Sequence, residues 1–363
     1  MNLPWTLHRY LAYQFLAGVG IVFAGFVFLS FSIDVVDIFD HTAGKDVPTS
    51  AVIGMGLLQM PSLALKLLPF AILLGGVFAF VRLSRSHELL AIRAAGVSAW
   101  NLLAPSLVVA VVLGIFAVMV FTPFSSRMLV EFTALEAKYI RGQASQLDIS
   151  RNGMWLRQGD AHAQSVVHAL RVANQGVQLE DVMIFRYGAG DRFTGRIEAR
   201  SAQLVEGAWM LHDAWVSDSE GNPKYYGSYS VPTTLTPSRI QESFAPPDTL
   251  SFWALPGFIH TAEQAGFGST RYLLYFDTLL ALPAMFAAMV FMAASFSLRL
   301  ARLGGLGRVI VQSALAGFGV YFFSMVTQAL GQSAILPIAL AAAAPAAAAI
   351  LIGMTLVFHQ EDG

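Results

Sequence analysis

The chain has no cysteine and few charged residues. Lysine, arginine, aspartate and glutamate make up 12% of its 363 residues, whereas 56% are hydrophobic. The absence of cysteine excludes disulfides, thiolate metal sites and cysteine nucleophiles. A soluble protein of this length needs more charge on its surface. The composition therefore predicts that a lipid bilayer is the natural solvent of the chain.

The sequence also lacks the motifs of several enzyme and binding classes. Its formal net charge is −1, so no long-range attraction to a nucleic acid is expected. The Gly304-Gly305-Leu306-Gly307-Arg308 segment lacks the spacing and the lysine of a phosphate loop, and no Gly-x-Ser-x-Gly or His-Glu-x-x-His motif occurs. His162 and His168 have no ligand cluster around them, so we interpret them as surface or packing histidines. We predict no catalytic residue, metal site or cofactor in this chain.

Apolar stretches long enough to cross a bilayer recur along the chain. They cover residues 11–33, 51–81, 99–124, 272–298 and 309–358. The last stretch is long enough for two helices, and Gly331-Gln332-Ser333 with Pro337 supplies the break between them. Residues 11–33 carry no clear processing site and are interpreted as a retained first span. The sequence therefore predicts six transmembrane helices, three within residues 1–127 and three within 266–363.

Charged loop residues predict the orientation of these spans. An even number of spans places both termini on one side of the membrane. That side carries the arginines of the loops, which are Arg9, Arg82, Arg85, Arg93, Arg299, Arg302 and Arg308. The opposite short loop carries Lys45 against Asp34, Asp37, Asp40 and Asp46. By the positive-inside rule, both termini are predicted to be cytoplasmic.

Residues 128–265 have the pattern of an all-β domain. Short alternating stretches occur at Val182-Met183-Ile184-Phe185, at Ala208-Trp209-Met210-Leu211 and from Tyr225 to Val231. Turn sequences such as Ser219-Glu220-Gly221-Asn222-Pro223 separate them, at a spacing typical of an antiparallel sandwich or jelly roll. The predicted fold is an α-helical membrane protein with an inserted, jellyroll-like β domain. This domain is predicted to lie across the membrane from the arginines, which is the periplasm if the organism is Gram-negative.

A short helix is predicted at residues 84–97, in the first cytoplasmic loop. Ser84 can cap its start and Gly96 can end it. Its apolar stripe is formed by Leu89, Ile92 and Ala95, and Arg85 and Glu88 lie off that stripe. The pattern indicates an amphipathic helix at the membrane surface. Such a helix either docks a cytoplasmic partner or lies on lipid head groups, and the pattern alone leaves both open.

The sequence of this helix resembles a known family. Ser84 to Ser98 reads S-x-S-x-E-L-x-x-x-R-A-x-G-V-S and resembles the coupling-helix signature of the LptF/LptG (YjgP/YjgQ) family of lipopolysaccharide export permeases. Further similar stretches follow in order along the chain: Arg9-Tyr10, Leu68-Pro69-Phe70, Thr122-Pro123, Gly153-Met154-Trp155, Leu235-Thr236-Pro237 and Arg302-Leu303-Gly304-Gly305. Features around Asp34 to Asp37 and in the insert favour the LptG member over LptF.

The resemblance implies a half-transporter of the bacterial inner membrane. It implies pairing with an LptF-like sister permease and with an LptB-like ATPase dimer, which binds ATP and magnesium. Hydrolysis would move lipopolysaccharide to LptC- and LptA-like periplasmic bridge proteins. Two other functions stay open at this point. One is a membrane-anchored envelope adaptor that transports nothing, and the other is a lipid-modifying enzyme, which the missing catalytic cluster disfavours.

The resemblance also carries over particular residues. On the coupling helix, Glu88 is the implied acidic contact with the ATPase and Leu89 and Ile92 are the implied apolar contacts, with Arg85 and Arg93 beside them. Spans one and five are implied to form lateral gates. Their small residues are Gly18, Gly20, Gly25, Gly317 and Gly319, which allow close helix approach, although ordinary membrane packing is the more frequent explanation for any single glycine.

Lys66, Asp34 and Asp37 are candidate lipid contacts. Lys66 lies in an apolar stretch, where a lysine costs about 2.5–3.5 kcal/mol on insertion scales, so it is expected to face a cavity or a partner. Its functional interpretation is a contact with a phosphate or carboxylate of the lipid A headgroup, and the alternative is a lysine that reaches water near the outer end of span two. A carboxylate at Asp34 repels an anionic headgroup unless a divalent cation bridges them.

Overall fold

The computed structural model describes residues 5–43, 47–136, 139–140, 147–150, 153–159, 164–173, 177–188, 192–205, 207–218, 221–233, 246–264, 269–300 and 306–361. They belong to two compact units. The membrane unit comprises Met1–Ile140, Asp248–Trp253 and Leu273–Gly363, and the β unit comprises Arg141–Pro247 and Ala254–Tyr272. Some residues named above lie outside the described ones: Lys45, Asp46, His162, Leu235-Thr236-Pro237 and Arg302-Leu303-Gly304-Gly305.

Six helical spans in the described ranges are long and apolar enough to cross a membrane, which confirms the predicted number. In chain order the helices are α1 Trp5–Thr42, α2 Thr49–Arg85, α3 Glu88–Ala94, α4 Ala99–Phe116, α5 Thr122–Glu136, α6 Leu255–Gln264, α7 Thr270–Leu300, α8 Leu306–Gln332 and α9 Ile338–Glu361. A π-helical turn, Ala117–Phe121, joins α4 to α5, and together they form span three. Span three therefore continues to Glu136, past residue 128, where the sequence places the start of the insert.

Helices α1 and α2 are longer than a bilayer requires. They contain 38 and 37 residues, which is about 57 and 55 Å of helix against about 30 Å of hydrocarbon. Arg82 and Arg85 occupy the last turn of α2. At the opposite end, Ile38 of α1 and Val52 and Met55 of α2 form a buried cluster of their own, against which Phe132 of α5 packs. We conclude that these helix ends project beyond the lipid on a small core of their own.

One end of the membrane unit carries Arg82 and Arg85 in the last turn of α2 and Arg93 in the last turn of α3, and we call it the arginine end. Tyr10 near the start of α1 contacts Glu88 at the start of α3. Trp100 at the start of α4 contacts Phe291 of α7 and Phe358 of α9, with ring centroids 6.0 and 4.6 Å apart. These contacts bring together the start of spans one and three with the cytoplasmic half predicted for spans four and six.

Glycines allow α1 and α2 to touch along their backbones. A Cβ added to Gly75 would lie 2.4 Å from Val19 Cα, and one added to Gly18 would lie 2.6 Å from the Gly75 carbonyl oxygen. Gly317 lies close to the side chain of Leu73, so α8 also packs on α2. A Cβ on Gly20, Gly25 or Gly319 would have no described atom within 4 Å. The small residues of spans one and five therefore divide into packing positions and open positions.

The π-helical turn in span three provides an anchor for residues Asp248–Trp253, which we call the strap. Thr122 Oγ1 donates a hydrogen bond to the carbonyl oxygen of Ala117 at 2.9 Å, and the Trp253 indole donates to the carbonyl oxygen of Met119 at 3.1 Å. A π turn displaces backbone carbonyls from regular helical pairing, so they can accept such donors. Phe252 also stacks on Phe276 of α7 with ring centroids 5.2 Å apart.

The β unit contains one antiparallel sheet. Its strands are β1 Leu147–Ser150, β2 Gly153–Gly159, β3 Gln164–Ala173, β4 Gln178–Gly188, β5 Arg192–Val205, β6 Ala208–Asp218 and β7 Pro223–Pro232. Each strand pairs with the next one along the chain, in the order β1 to β7. The predicted all-β, antiparallel insert is confirmed. The strands that the structure describes follow each other as a meander without the crossover of a Greek key.

A crease crosses this sheet. Between every two neighbouring strands from β3 to β7, one pair of facing residues is missing from the regular hydrogen-bonded pairing. The unpaired residues lie side by side across the sheet: Leu170, Asp181, Arg200, Asp213 and Gly227. Asp181 and Asp213 adopt left-handed backbone angles, with φ of 52° and 54°. Along β6 the burial pattern shifts there, because Leu211 and Ala214 are buried whereas the two residues between them are exposed. The sheet thus changes direction along a line.

The crease explains how one sheet encloses a core. Core residues from both sides of it belong to one buried cluster, which includes Leu179, Ile184, Ile197, Leu204 and Trp209. Helix α6 adds Ala262 to this cluster. One face of a flat sheet stays exposed unless another layer covers it, so the complete burial of these side chains requires that the sheet folds over itself.

Substituting Asp213 tests the crease. Asp and Asn tolerate the left-handed conformation, whereas a β-branched residue does not. We expect Asp213→Val to lower the free energy of unfolding by about 1–2 kcal/mol. Asp213→Asn is expected to change it little, because Asn also keeps an acceptor for the Tyr225 hydroxyl, which lies 2.8 Å from Asp213 Oδ1. Thermal unfolding of the purified full chain measures the stability of both variants. If both lost the same free energy of unfolding, the left-handed backbone conformation of Asp213 would not be the cause.

Candidate functional site

The predicted helix at residues 84–97 is shorter in the structure. Helix α2 continues to Arg85, so Ser84 lies inside α2 and does not cap a new helix. The chain turns at His87, whose φ is 62°, and α3 begins at Glu88 without a side-chain cap. Gly96, with φ of 81°, follows the end of α3 and confirms the predicted stop. The helix contains seven residues, Glu88–Ala94.

The apolar face of α3 is turned towards the protein itself. Leu89 is only 9% exposed and belongs to the core of the membrane unit, and Ile92 packs against that core. The exposed apolar side chain of the helix is Leu90, which is 63% exposed. Leu89 and Ile92 therefore hold the helix on the core of the membrane unit, and their role as partner contacts stays a prediction. Leu90 is the apolar side chain of α3 that remains exposed.

The polar side of α3 carries Glu88, held by a short hydrogen-bond chain. The Tyr10 hydroxyl donates to Glu88 Oε2 at 2.7 Å, and Gln14 Nε2 donates to the Tyr10 hydroxyl at 3.2 Å. Arg85 is exposed at the end of α2, and Arg93 is half-buried in the last turn of α3. The structure thus brings Arg85, Glu88 and Leu90 to one exposed corner at the arginine end.

Lys66 is not buried in the membrane unit. Its side chain is 65% exposed, and its Nζ lies 3.5 Å from Asp248 Oδ2 in the strap. Sixteen residues of helix separate Lys66 from Arg82, which is about 24 Å. Because α2 is longer than the bilayer is thick, its start at Thr49 is the wrong reference for depth. The depth of Lys66 in the membrane therefore stays a prediction.

Asp34 and Asp37 lie near the far end of α1 from the arginines. Asp34 is half-buried, and its Oδ2 is buried without a hydrogen-bond partner among the described residues. Asp37 is exposed, with Oδ1 3.6 Å from His41 Nδ1. In the ranges that the structure covers, no three His, Asp or Glu side chains come close enough to hold a metal ion. The role of a divalent cation at Asp34 and Asp37 stays a prediction.

His168 is a packing histidine in the described sheet. Its ring lies 4.1 Å from the ring of Trp155, centroid to centroid, across the β2–β3 pair. This position agrees with the interpretation made from its sequence surroundings.

The chain matches the family model described as lipopolysaccharide export system permease LptF/LptG, over residues 9–358. The chain belongs to the LptF/LptG family. It is also similar to two curated proteins, both described as lipopolysaccharide export system permease protein LptG, from Escherichia coli strain K12 and from Escherichia coli O6:H1 strain CFT073. Each is 24% identical to this chain over 313 residues, which cover 84% of this chain and 84% of the relative.

Membership in the LptF/LptG family establishes the general role of this permease. It is a multi-pass inner-membrane protein and a membrane subunit of the lipopolysaccharide export system, and it is not itself the ATPase. Its fold of six apolar helices with an antiparallel sheet inserted after the third agrees with the family. The site built from α3 is thus to be interpreted as part of a transporter.

Three residues of this LptF/LptG permease site were missed by sequence reasoning. Tyr10 entered only as part of a similar stretch, Leu90 was not on the predicted apolar stripe, and Asp248 was not considered. Tyr10 and Glu88 are 78 residues apart, and no spacing rule relates positions so distant. The sequence does contain the information needed to identify Leu90. At helical spacing, Leu90 lies on the side of α3 opposite to Leu89 and Ile92, so an apolar side chain is expected on the outer side of the helix.

Proposed function

We propose that this chain is an LptG-like permease that works beside an LptF-like sister and is driven by an LptB-like ATPase dimer. The single observation that carries the proposal is α3. It is anchored to the membrane core through Leu89 and it presents Glu88 and Leu90 on its outer side. The two relatives described as LptG support the choice of member, and the LptF-like role is the alternative.

The mechanism follows from this arrangement and is mechanical. The ATPase binds ATP and magnesium, and an arginine of the ATPase meets the Glu88 carboxylate as a charge-assisted pair. Closure of the ATPase dimer then displaces α3. Because Leu89 and Ile92 pack in the core, the displacement reaches the spans instead of being absorbed by a loop. Lipopolysaccharide leaves the cavity between the two permeases towards the β unit and the LptC- and LptA-like bridge proteins.

We propose that the arginine end faces the cytoplasm. Arg82, Arg85, Arg93 and Arg308 all lie there, and short loops rich in arginine stay on the cytoplasmic side. Both termini are then cytoplasmic and the β unit is periplasmic. The orientation can be measured by the accessibility of a single introduced cysteine, because the chain has no cysteine of its own. A single cysteine at Ala95 is expected to react with a membrane-impermeant thiol reagent only in inverted vesicles.

Co-purification from native membranes tests the function. The tagged full chain is expected to bring down a second permease, an ATPase and lipopolysaccharide, identified by mass spectrometry. Recovery of bridge proteins by the sister in preference to this chain would favour the LptG-like role over the LptF-like one. Recovery of envelope proteins without any ATPase would overturn the transporter proposal and favour an adaptor.

Lys66 is our proposed contact for an anionic lipid headgroup. We place it near the outer edge of the hydrocarbon. Its side chain is 65% exposed, and the Asp248 carboxylate offsets part of its charge. Lys66→Ala is expected to lower the lipopolysaccharide retained per permease about threefold to tenfold, in keeping with about 1 kcal/mol for an interfacial charge pair. Asp248→Asn is expected to act in the opposite direction, because it leaves the ammonium unpaired.

Retained lipid is measured by mass spectrometry of the purified complex. Lys224→Ala in the exposed strand β7 is the matched control, because it removes a lysine from the β unit. A loss of lipid in Asp248→Asn equal to that in Lys66→Ala would show that the ion pair itself, and not the lysine, matters.

Spans one and five are our proposed lateral gates, with Asp34 and Asp37 as secondary headgroup contacts. The most apolar parts of α1 and α8 are only 11% and 17% buried within the chain, so most of their surface meets lipid or the sister permease. Gly20, Gly25 and Gly319 lie on the open part of that surface. A divalent cation between the aspartates and a phosphate would make the contact attractive, and a chelator is then expected to reduce retained lipid.

A further inference from the structure

Tyr10 connects the start of span one to the coupling helix α3. Its hydroxyl donates to Glu88 Oε2 at 2.7 Å and accepts a hydrogen bond from Gln14 Nε2 at 3.2 Å. Gln14 lies one turn further along α1, so the hydroxyl is fixed from both sides. A hydroxyl can serve as donor and acceptor at once, and linked hydrogen bonds strengthen each other.

Helix α3 depends on such contacts for its position. It has seven residues and no side-chain cap at its start, whereas an isolated helix needs about 12–15 residues to be even marginally stable. Leu89 and Ile92 fix its apolar side to the core. On its polar side, the recorded hydrogen bond from outside the helix to the Glu88 side chain comes from Tyr10.

The hydrogen bond is compatible with a partner at Glu88. A carboxylate has two oxygens and several acceptor positions. Tyr10 uses Oε2, and Oε1 can accept an arginine of the ATPase. Span one and the ATPase can therefore hold the same side chain together.

We propose that Tyr10 is a positioning residue that joins span one to the coupling helix, so that both move as one body when the ATPase moves. This inference rests on the proposed function, because it takes α3 as the site of ATPase contact. Without the hydrogen bond, α3 would act on span one through packing contacts, such as that of α2 on α1 at Gly75 and Gly18. With it, α3 and span one are also joined directly.

Tyr10→Phe tests the proposal because it removes only the hydroxyl. Tyr13→Phe is the matched control, since Tyr13 lies one turn further along α1 and is 68% exposed. In the purified complex we expect Tyr10→Phe to keep the ATPase bound and to hydrolyse ATP within about twofold of the wild type. Lipopolysaccharide released per ATP is expected to fall about fivefold, as for the loss of one ordinary, solvent-exposed hydrogen bond. Tyr13→Phe is expected to leave this ratio unchanged.

A distance measurement separates positioning from a general loss of structure. Cysteines placed at Tyr13 and Ala95 carry the only two spin labels of this chain, because it has no cysteine of its own, and the partner subunits are used without reactive cysteines. In the otherwise wild-type complex, the distance between them is expected to be the same without nucleotide and with ADP trapped by vanadate after hydrolysis. With Tyr10→Phe it is expected to shift or broaden by about 2 Å or more between the two states, the scale of helix shifts in switching proteins.

The outcomes distinguish this inference from the proposed function. If the wild-type complex contains no ATPase, both the proposed function and the role of Tyr10 are overturned. If the ATPase is bound and Tyr10→Phe releases lipid at the wild-type ratio with an unchanged label distance, only the role of Tyr10 is overturned. A nucleotide-dependent distance change that is already present in the wild type, and equal in Tyr10→Phe, also overturns it.

Discussion

Glu88→Arg is expected to abolish the recovery of the ATPase with this permease. The substitution places a cation where the proposed contact requires a carboxylate, so an attractive pair becomes a repulsive one. Removing one partner of a desolvated charge pair costs about 2–5 kcal/mol, which corresponds to a loss of affinity of about thirtyfold or more. The measurement is the ATPase recovered per tagged permease, with lipopolysaccharide release by the same complex.

Two further variants test whether the effect is specific to position 88 and to its charge. Glu131 is exposed on α5, at the opposite end of span three, and Glu131→Arg is expected to leave ATPase recovery unchanged. Glu88→Gln keeps an acceptor for Tyr10 but removes the charge, so its loss of ATPase is expected to be intermediate. Full recovery of the ATPase with Glu88→Arg would show that α3 is not the contact.

Gly75→Val is expected to destabilise the membrane unit strongly. Even a Cβ at this position would lie 2.4 Å from Val19 Cα and 2.7 Å from Val19 N. Both are backbone atoms of α1, so the two helices have to separate. Overpacking of this kind costs about 1–3 kcal/mol, and we expect the upper part of that range. In detergent the midpoint of thermal unfolding is expected to fall by about 5 °C or more.

Gly20→Val is the matched control on α1. A Cβ there has no described atom within 4 Å, so it is expected to change the midpoint by about 1 °C at most, in line with a surface substitution. If both substitutions lowered the midpoint equally, the loss would reflect general helix effects of valine, and the close approach of α1 and α2 would not be the cause.

The spans and strands could be predicted because their signals are local. A run of about twenty apolar residues identifies a span wherever it lies, and Pro337 after Gly331 marked the break between α8 and α9 that the structure confirms. Alternation with turn sequences identified the sheet in the same way. The extra length of α1 was missed, because Asp34, Asp37 and Asp40 indicated a loop after residue 33, although α1 continues to Thr42 and buries Ile38 against protein.

The site was predicted only in part, because its geometry depends on distant residues. Of the predicted apolar stripe, Leu89 and Ile92 pack on the core, whereas Ala95 is exposed and follows the helix. A stripe does not say whether its apolar side meets a partner or the protein's own core. The structure decides this for Leu89. The depth of Lys66 stays a prediction, since the sequence does not show where along a 37-residue helix the lipid begins. Neither Tyr10 nor Asp248 is near its partner in sequence.

The π-helical turn at Ala117–Phe121 allows span three to lose one residue without a change in the packing of the helices on either side. A π turn holds one more residue than an α-helix of the same rise, so deleting one residue there can restore regular α-helix. Elsewhere in a span, such a deletion rotates every later side chain by about 100° against its neighbours. Span three therefore contains a segment where related chains can differ in length by one residue while α4 and α5 keep their packing faces. A homologue of that kind would lose the displaced carbonyl of Met119, and with it the place where Trp253 attaches.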